Sequence, residues 1–240
     1  MTRDAAFFTL HRDLPREGPG TAADVLWALE AAGTPEEAAI CDAACGPGAD
    51  TVTLAGARPR ARIDAIDLQA HFAEEAARRT ARFGPRVTVT RGDYAELPGS
   101  YSLIWCSGAV YFTGFTRALA VWKPFLDPGG AIAFNEPVFL TDQPGPGARA
   151  FWEDYPKVMP VAALNRGVEA AGWRIEAQRI QTGAAWEAYY MPMEDRIAAL
   201  RASGPGSALV EVLDAAAREI AHWRTAPGEI AYALQVVRPQ

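Results

Sequence analysis

The segment Ile40–Thr51, ICDAACGPGADT, constrains the fold more than any other stretch of the chain. A short apolar run from Ala38 to Ala43 carries Asp42, and a Gly/Pro turn then opens a helix from about Asp50 to Ala57. The same theme repeats downstream. Strand-like runs lie at Ala61–Asp67, Val87–Arg91, Tyr101–Ser107 and Ala131–Val138. Between them, Phe72, Ala76 and Phe83 share one helix face, and Leu119, Trp122, Phe125 and Leu126 share another, stopped by Asp127-Pro128-Gly129-Gly130. Strands alternating with helices at this spacing predict βαβ units, hence a mostly parallel sheet covered on both faces, with right-handed crossovers.

The flanks are less regular. Thr21 with Asp24 is a variant capping box, ahead of a helix that presents Val25, Leu29 and Ala32 and stops at Gly33 and Pro35. Phe139–Pro160 is rich in Pro, Gly and aromatics and reads as a surface loop. A helix with Val161, Leu164, Val168 and Ala171 leads into a strand at Trp173–Gln181. Helices follow near Met193–Ala202 and Ser207–Thr225, and a final strand spans Glu229–Val237. The expectation is one domain over 1–240, with an N-terminal cap (1–35), a ligand-binding half (36–138) and a substrate-side half with a lid insertion (139–240).

Composition narrows the function. At 240 residues and a formal net charge of -6 the chain lacks the basic footprint that phosphates attract, so no nucleic-acid partner is expected. The Arg58–Arg62 and Arg78–Arg82 clusters read as solvated faces. Cys41, Cys45 and Cys106 show no paired ligand spacing, so no metal is expected and the thiols read as buried structural groups. His71 and His222 read as exposed helix residues. No basic region precedes an apolar run at the N-terminus, and the uncharged stretch Leu97–Thr116 is broken by Pro98 and three glycines, so no membrane segment is read. The expected location is the cytoplasm.

Acidic residues recur at successive strand ends. In an open α/β sheet the crevice beyond those ends is where ligands bind. Gly46 and Gly48 let the backbone approach a ligand with no Cβ in the way. Asp67, nineteen residues beyond Gly48, can accept two hydrogen bonds from ribose hydroxyls, and Asp93 can accept from an adenine amino group. A nicotinamide fingerprint is not met, because its last glycine position is Thr51.

Taken in order, ICDAACGPGADT, IDAIDLQ, TRGDY, YSLIWCSGAVYF and LDPGGAIAFNEP resemble the motifs of class I S-adenosylmethionine-dependent methyltransferases. The resemblance is good over about Ala38–Pro137 and looser elsewhere. His11–Gly20 and Tyr189-Tyr190-Met191-Pro192 also resemble segments of a bacterial small-molecule subgroup. It implies a Rossmann-like doubly wound sheet of seven strands with an antiparallel last strand, and helical caps over the strand ends. It implies S-adenosylmethionine as cofactor, with S-adenosylhomocysteine as product. Carried over residue by residue, the cofactor side comprises Asp42, Ala44, Gly46, Gly48, Asp67, Leu68, Asp93, Tyr94 and Ser107. Three positions depart from the pattern: Ala44 stands for the first glycine, Ser102 for an Asp, and Ser107 for an acid common in the subgroup.

Methyl transfer from a sulfonium is an in-line displacement, for which positioning supplies most of the rate. No Asn/Asp-Pro-Pro-aromatic sequence follows the fourth strand, against the amino-methylating DNA and glutamine classes that it marks. Glu136 and Tyr111 are the candidate catalytic groups, Glu136 as base or as partner of a cationic amine. Arg16, Tyr111, Trp186, Tyr189 and Tyr190 are the substrate-side candidates, the aromatics either lining a pocket or packing a lid helix. His11 and Arg16 are candidates for a lid. The expected partner is a small molecule, and a homodimer is left open. Two alternatives stand: a protein that binds the cofactor without transferring methyl, and a methyltransferase acting on protein or RNA.

Overall fold

The computed structural model describes residues 1–153, 155 and 157–240. Its centre is a sheet built from β1 (Ala39–Ala43), β2 (Arg62–Asp67), β3 (Val87–Arg91), β4 (Tyr101–Cys106) and β5 (Leu126–Phe139). To these are added a two-residue β6 (Met159–Pro160), β7 (Trp173–Gln181) and β8 (Ile230–Pro239). The main path runs β3-β2-β1-β4-β5-β8-β7, with β6 paired to β5 off that path. β1 pairs in parallel with both β2 and β4. β8 lies antiparallel between β5 and β7. The doubly wound α/β sheet read from the sequence is the observed one, with the short β6 as an eighth strand.

Period-two alternation explains the burial of both faces. Along β4, Ile104 and Cys106 point to a core shared with Trp122, Phe134 and Val168, whereas Leu103 and Trp105 point to one shared with Leu29, Ile40 and Leu54. The helices on these faces are α2 (Ala22–Ala31), α3 (Ala49–Ala57), α4 (Ala70–Thr80), α5 (Phe115–Trp122) and α7 (Val161–Ala170). The Thr21 N–H donates to the Asp24 carboxylate at 2.8 Å, so the variant capping box forms.

A third core lies off the sheet. It joins α1 (Arg3–His11), α6 (Pro146–Phe151), α8 (Ala184–Ala202) and α9 (Ser207–Thr225) through Leu10, Trp186, Tyr190, Leu213 and Trp223. Here the sequence reading needs correction. The α1 helix was not read, α8 begins nine residues earlier than expected, and the supposed loop 139–160 holds α6 and β6. Positions 154 and 156 in that loop lie outside the described residues. The Asp127–Gly130 turn, read as a helix stop, belongs to β5, which runs three residues beyond Glu136.

Two arginines expected on solvated faces are built in. Arg58 has a side chain only 11% exposed and donates to the Thr34 carbonyl, and Arg79 donates to the carbonyls of Leu14 and Pro15. His222 is exposed as expected, but His71 is half-buried between Phe8 and Phe72. The three thiols are free and buried.

Candidate functional site

The sheet winds outward from β1 in both directions, so the carboxyl ends of β1 and β4 part at a crevice. Asp42, one residue from the end of β1, is buried and accepts a hydrogen bond from the Thr51 hydroxyl at 2.5 Å. Burial, reinforced by neighbouring Asp50, pushes its carboxyl up to about 8. The chain then turns through three left-handed residues: Ala44 at φ +60°, Gly46 at +54° and Gly48 at +89°. At Gly48 a Cβ would lie 2.9 Å from Ala76 in α4, so this glycine lets the turn sit against a helix. At Gly46 the nearest atoms belong to Glu17, 3.7 Å from where a Cβ would be, and the backbone faces the crevice. Ala44 keeps the glycine-like conformation without glycine's freedom.

Asp67 closes the turn from β2. One carboxylate oxygen accepts from the Gly46 N–H and the other from the Gln69 N–H, each at 2.8 Å. Burial raises its pKa, against the lowering effect of those two amides. Leu68 beside it is exposed at the rim. Asp93 is exposed and accepts from the Ala95 N–H at 2.8 Å, while the Tyr94 hydroxyl meets Thr113 at 2.8 Å. Past β4, Asn135 donates to Ser107 and to Gln181 and accepts from the Gly108 N–H at 2.7 Å, fixing the loop after the strand.

The segment after α1 passes over this crevice. His11 and Glu17 meet at 2.5 Å, and Arg16 donates to Asp50 at 2.6 Å and to the Gly18 carbonyl. Arg16, expected on the substrate side, is thus tied to the start of α3. Between segment and sheet lies a cavity of about 1980 Å³, reaching from Asp42, Gly46 and Asp67 to Tyr111, Tyr189 and Tyr232.

Its far end is aromatic. Tyr111 and Tyr155 pack edge to face at 5.3 Å between ring centroids, and Trp152 stands 6.1 Å from Tyr232. Trp186 stacks on Trp223 and Tyr190 packs beside it, so these two candidates line the cavity from within the α8–α9 core. The Tyr155 hydroxyl donates to Glu136 at 3.2 Å, and burial pushes the Glu136 carboxyl up to about 7. Its other oxygen is buried with no partner among the described residues. Across the cavity Glu219 accepts from the Tyr190 hydroxyl at 2.9 Å. Glu219 is open to the cavity yet ringed by protein, and desolvation there raises its pKa.

Tyr155, Trp152, Glu219, Tyr232, Asn135 and Glu17 were not singled out as site residues in the sequence reading. A signal existed for Glu219: Val212, Ala216 and Glu219 repeat at i, i+4, i+7, so an acid continues the apolar stripe of α9. The cluster Phe151, Trp152 and Tyr155 was a second, since aromatics bunched in a loop need something to pack on.

With this geometry in place, comparison with known proteins identifies the fold. Residues 40–130 match the methyltransferase-domain family. A methyltransferase from Geobacter sulfurreducens, solved with S-adenosylhomocysteine, superposes at a TM-score of 0.86 with 17% identity, over 98% of each chain. The chain has the class I methyltransferase fold. Trans-aconitate 2-methyltransferase of Deinococcus radiodurans is 32% identical over 101 residues, 42% of this chain and 38% of that protein. An uncharacterized protein in a transposon of Streptomyces fradiae is 37% identical over 108 residues, 43% of this chain and 31% of that protein. The match thus spans well under half of either curated relative and of this chain.

Proposed function

We propose that the chain is an S-adenosylmethionine-dependent methyltransferase acting on a small-molecule acceptor. The observation that carries this reading is one continuous cavity joining the strand-end crevice to the aromatic chamber. At about 1980 Å³ it exceeds the roughly 300–1,000 Å³ of a single-ligand pocket, as a site for two molecules requires.

The residues fit such a cofactor. A carboxylate offers about four acceptor positions. Asp67 spends two on the Gly46 and Gln69 amides and keeps the rest for ribose hydroxyls. Asp93 is exposed at the end of β3, where an adenine amino group would meet it, with Leu68 and Tyr94 beside the ring. Asp42, Ala44, Gly46 and Ser107 would border the methionine portion, and Gly48 holds their turn on α4. When bound, S-adenosylmethionine supplies a sulfonium-activated methyl group and leaves as S-adenosylhomocysteine. The chain's own work is to hold the acceptor in line, exclude water and take a proton. The strap Arg16–Gly20 excludes water from above the crevice. Glu136 takes the proton through Tyr155, since a base near neutrality suits this task. If so, transfer rises as pH passes through about 7; a rate flat across that range removes Glu136 from the role.

An anionic acceptor, such as the trans-aconitate named for the Deinococcus relative, would face Glu219 here, with Glu136 behind Tyr155. Its substrate is therefore not carried over. A cytoplasmic location and a homodimer remain part of this proposal; among the described residues no helix is long and apolar enough to cross a membrane.

The test is methyl-labelled S-adenosylmethionine incubated with the protein and a bacterial extract split into small molecules, protein and RNA. Label in the small-molecule fraction supports the reading. Label in protein or RNA alone, or none with the cofactor bound, overturns it.

A further inference from the structure

The acceptor end of the cavity combines aromatic walls with carboxylates. Its walls are aromatic faces, Tyr111 against Tyr155 at 5.3 Å and Tyr232 at 5.6 Å from Trp186. Its charges are carboxylates on opposite sides. Glu219 on α9 looks into the cavity, and Glu136 on β5 sits behind Tyr155 with one oxygen buried and unpartnered among the described residues. Burial, reinforced by both carboxylates, raises the phenol pKa of Tyr111 and of Tyr232.

We infer that the acceptor is a small amine taken as its ammonium cation, between the faces of Tyr111, Tyr155 and Tyr232 and opposite Glu219, and that its nitrogen loses a proton through Tyr155 to Glu136 before it attacks the methyl carbon. The inference rests on the methyltransferase reading and names its substrate class. A neutral apolar acceptor would fill the aromatic walls and leave the carboxylates without a counter-charge. An anion would be repelled by both. A cation satisfies the ring faces and the carboxylates together. Among the described residues no cationic side chain forms an ion pair with Glu219 or Glu136, although Lys157 and Arg218 line the same cavity. His11, which weighs on Glu219, is held by Glu17 at 2.5 Å, and Lys157, which weighs on Glu136, is exposed. Arg218, next to Glu219 on α9, is likewise exposed.

Choline and its uncharged isostere, with carbon in place of the quaternary nitrogen, separate charge from shape. Each is titrated calorimetrically into the protein saturated with S-adenosylhomocysteine. Choline is expected to bind at least about tenfold tighter than the isostere, the range of a desolvated cation–π contact. Glu219→Gln keeps an oxygen for the Tyr190 hydroxyl and should abolish most of that preference, while its melting temperature and its affinity for S-adenosylhomocysteine stay at the parent values. Tyr232→Leu should also lower it. Equal binding of the two probes, or an undiminished preference in Glu219→Gln, overturns the assignment. Failure of S-adenosylhomocysteine to bind at all is a different result: it removes the methyltransferase reading, and this inference with it.

Discussion

Asp67 accepts the Gly46 N–H at 2.8 Å, so the acid that ends β2 is also the brace of the turn after β1. A single side chain therefore shapes the turn and presents its remaining lone pairs to the crevice. Asp67→Asn should weaken S-adenosylhomocysteine binding by about 10- to 100-fold, the loss of hydrogen bonds to a charged group. It should also cost ~1–3 kcal/mol of stability, because one buried N–H then faces an amide donor. Calorimetric titration and denaturant melts read the two effects separately. Unchanged affinity would contradict the ribose assignment.

The turn itself contains a paired test. Ala44 stands at φ +60°, which costs an L-residue roughly 1–2 kcal/mol that glycine avoids. Part of the gain is offset by the freedom glycine adds to the unfolded chain, about 0.4–1 kcal/mol. Ala44→Gly is thus expected to raise stability by about 0.5–1 kcal/mol. Gly48→Ala should lower it by about 2–4 kcal/mol, since it combines φ +89° with a Cβ 2.9 Å from Ala76. Chemical denaturation of both variants checks the signs, and a destabilised Ala44→Gly would refute the argument for strain.

These positions show what was legible from the chain. The glycine turn and β1 to β5 follow from short-range pattern: apolar runs of strand length, punctuated by Gly and Pro, with helical periodicity between them. Asp42, Asp67 and Asp93 were legible because strand ends are marked in the sequence. The α1 helix was not, because its apolar side has meaning only against α8 and α9, nearly two hundred residues away. The aromatic chamber was legible in part. Tyr111, Glu136, Trp186 and Tyr189 were read as candidates, but Tyr155, Glu219 and Tyr232 come from three further elements that only tertiary packing brings together. Strand β6 is two residues long and carries no periodic signal at all.

Acidity should report on the buried acids before any substrate is known. Asp42 is pushed up to about 8 and Glu136 to about 7, each chiefly by burial. Both are raised above their unfolded values, so between about pH 4 and 8 the folded chain holds protons that the unfolded chain has released. Stability then falls as pH rises through that window. The ligand-free protein is expected to melt lower at pH 8 than at pH 5. Asp42→Asn should remove part of the slope, on the order of a few kcal/mol across the window. Thermal melts at a series of pH values decide it, and a slope unchanged by the substitution would place the proton elsewhere.

The most direct test of the central claim is ligand-dependent melting of the purified protein with S-adenosylmethionine, S-adenosylhomocysteine, NAD and NADP in parallel. At about 100 times its dissociation constant a ligand adds ~2.7 kcal/mol. In a chain of this length that corresponds to a rise of roughly 5–10 °C. The account predicts such a shift with the two sulfur nucleosides alone, and its reduction in Asp67→Asn. A shift with the nicotinamide nucleotides, or none with S-adenosylmethionine and S-adenosylhomocysteine, would contradict it.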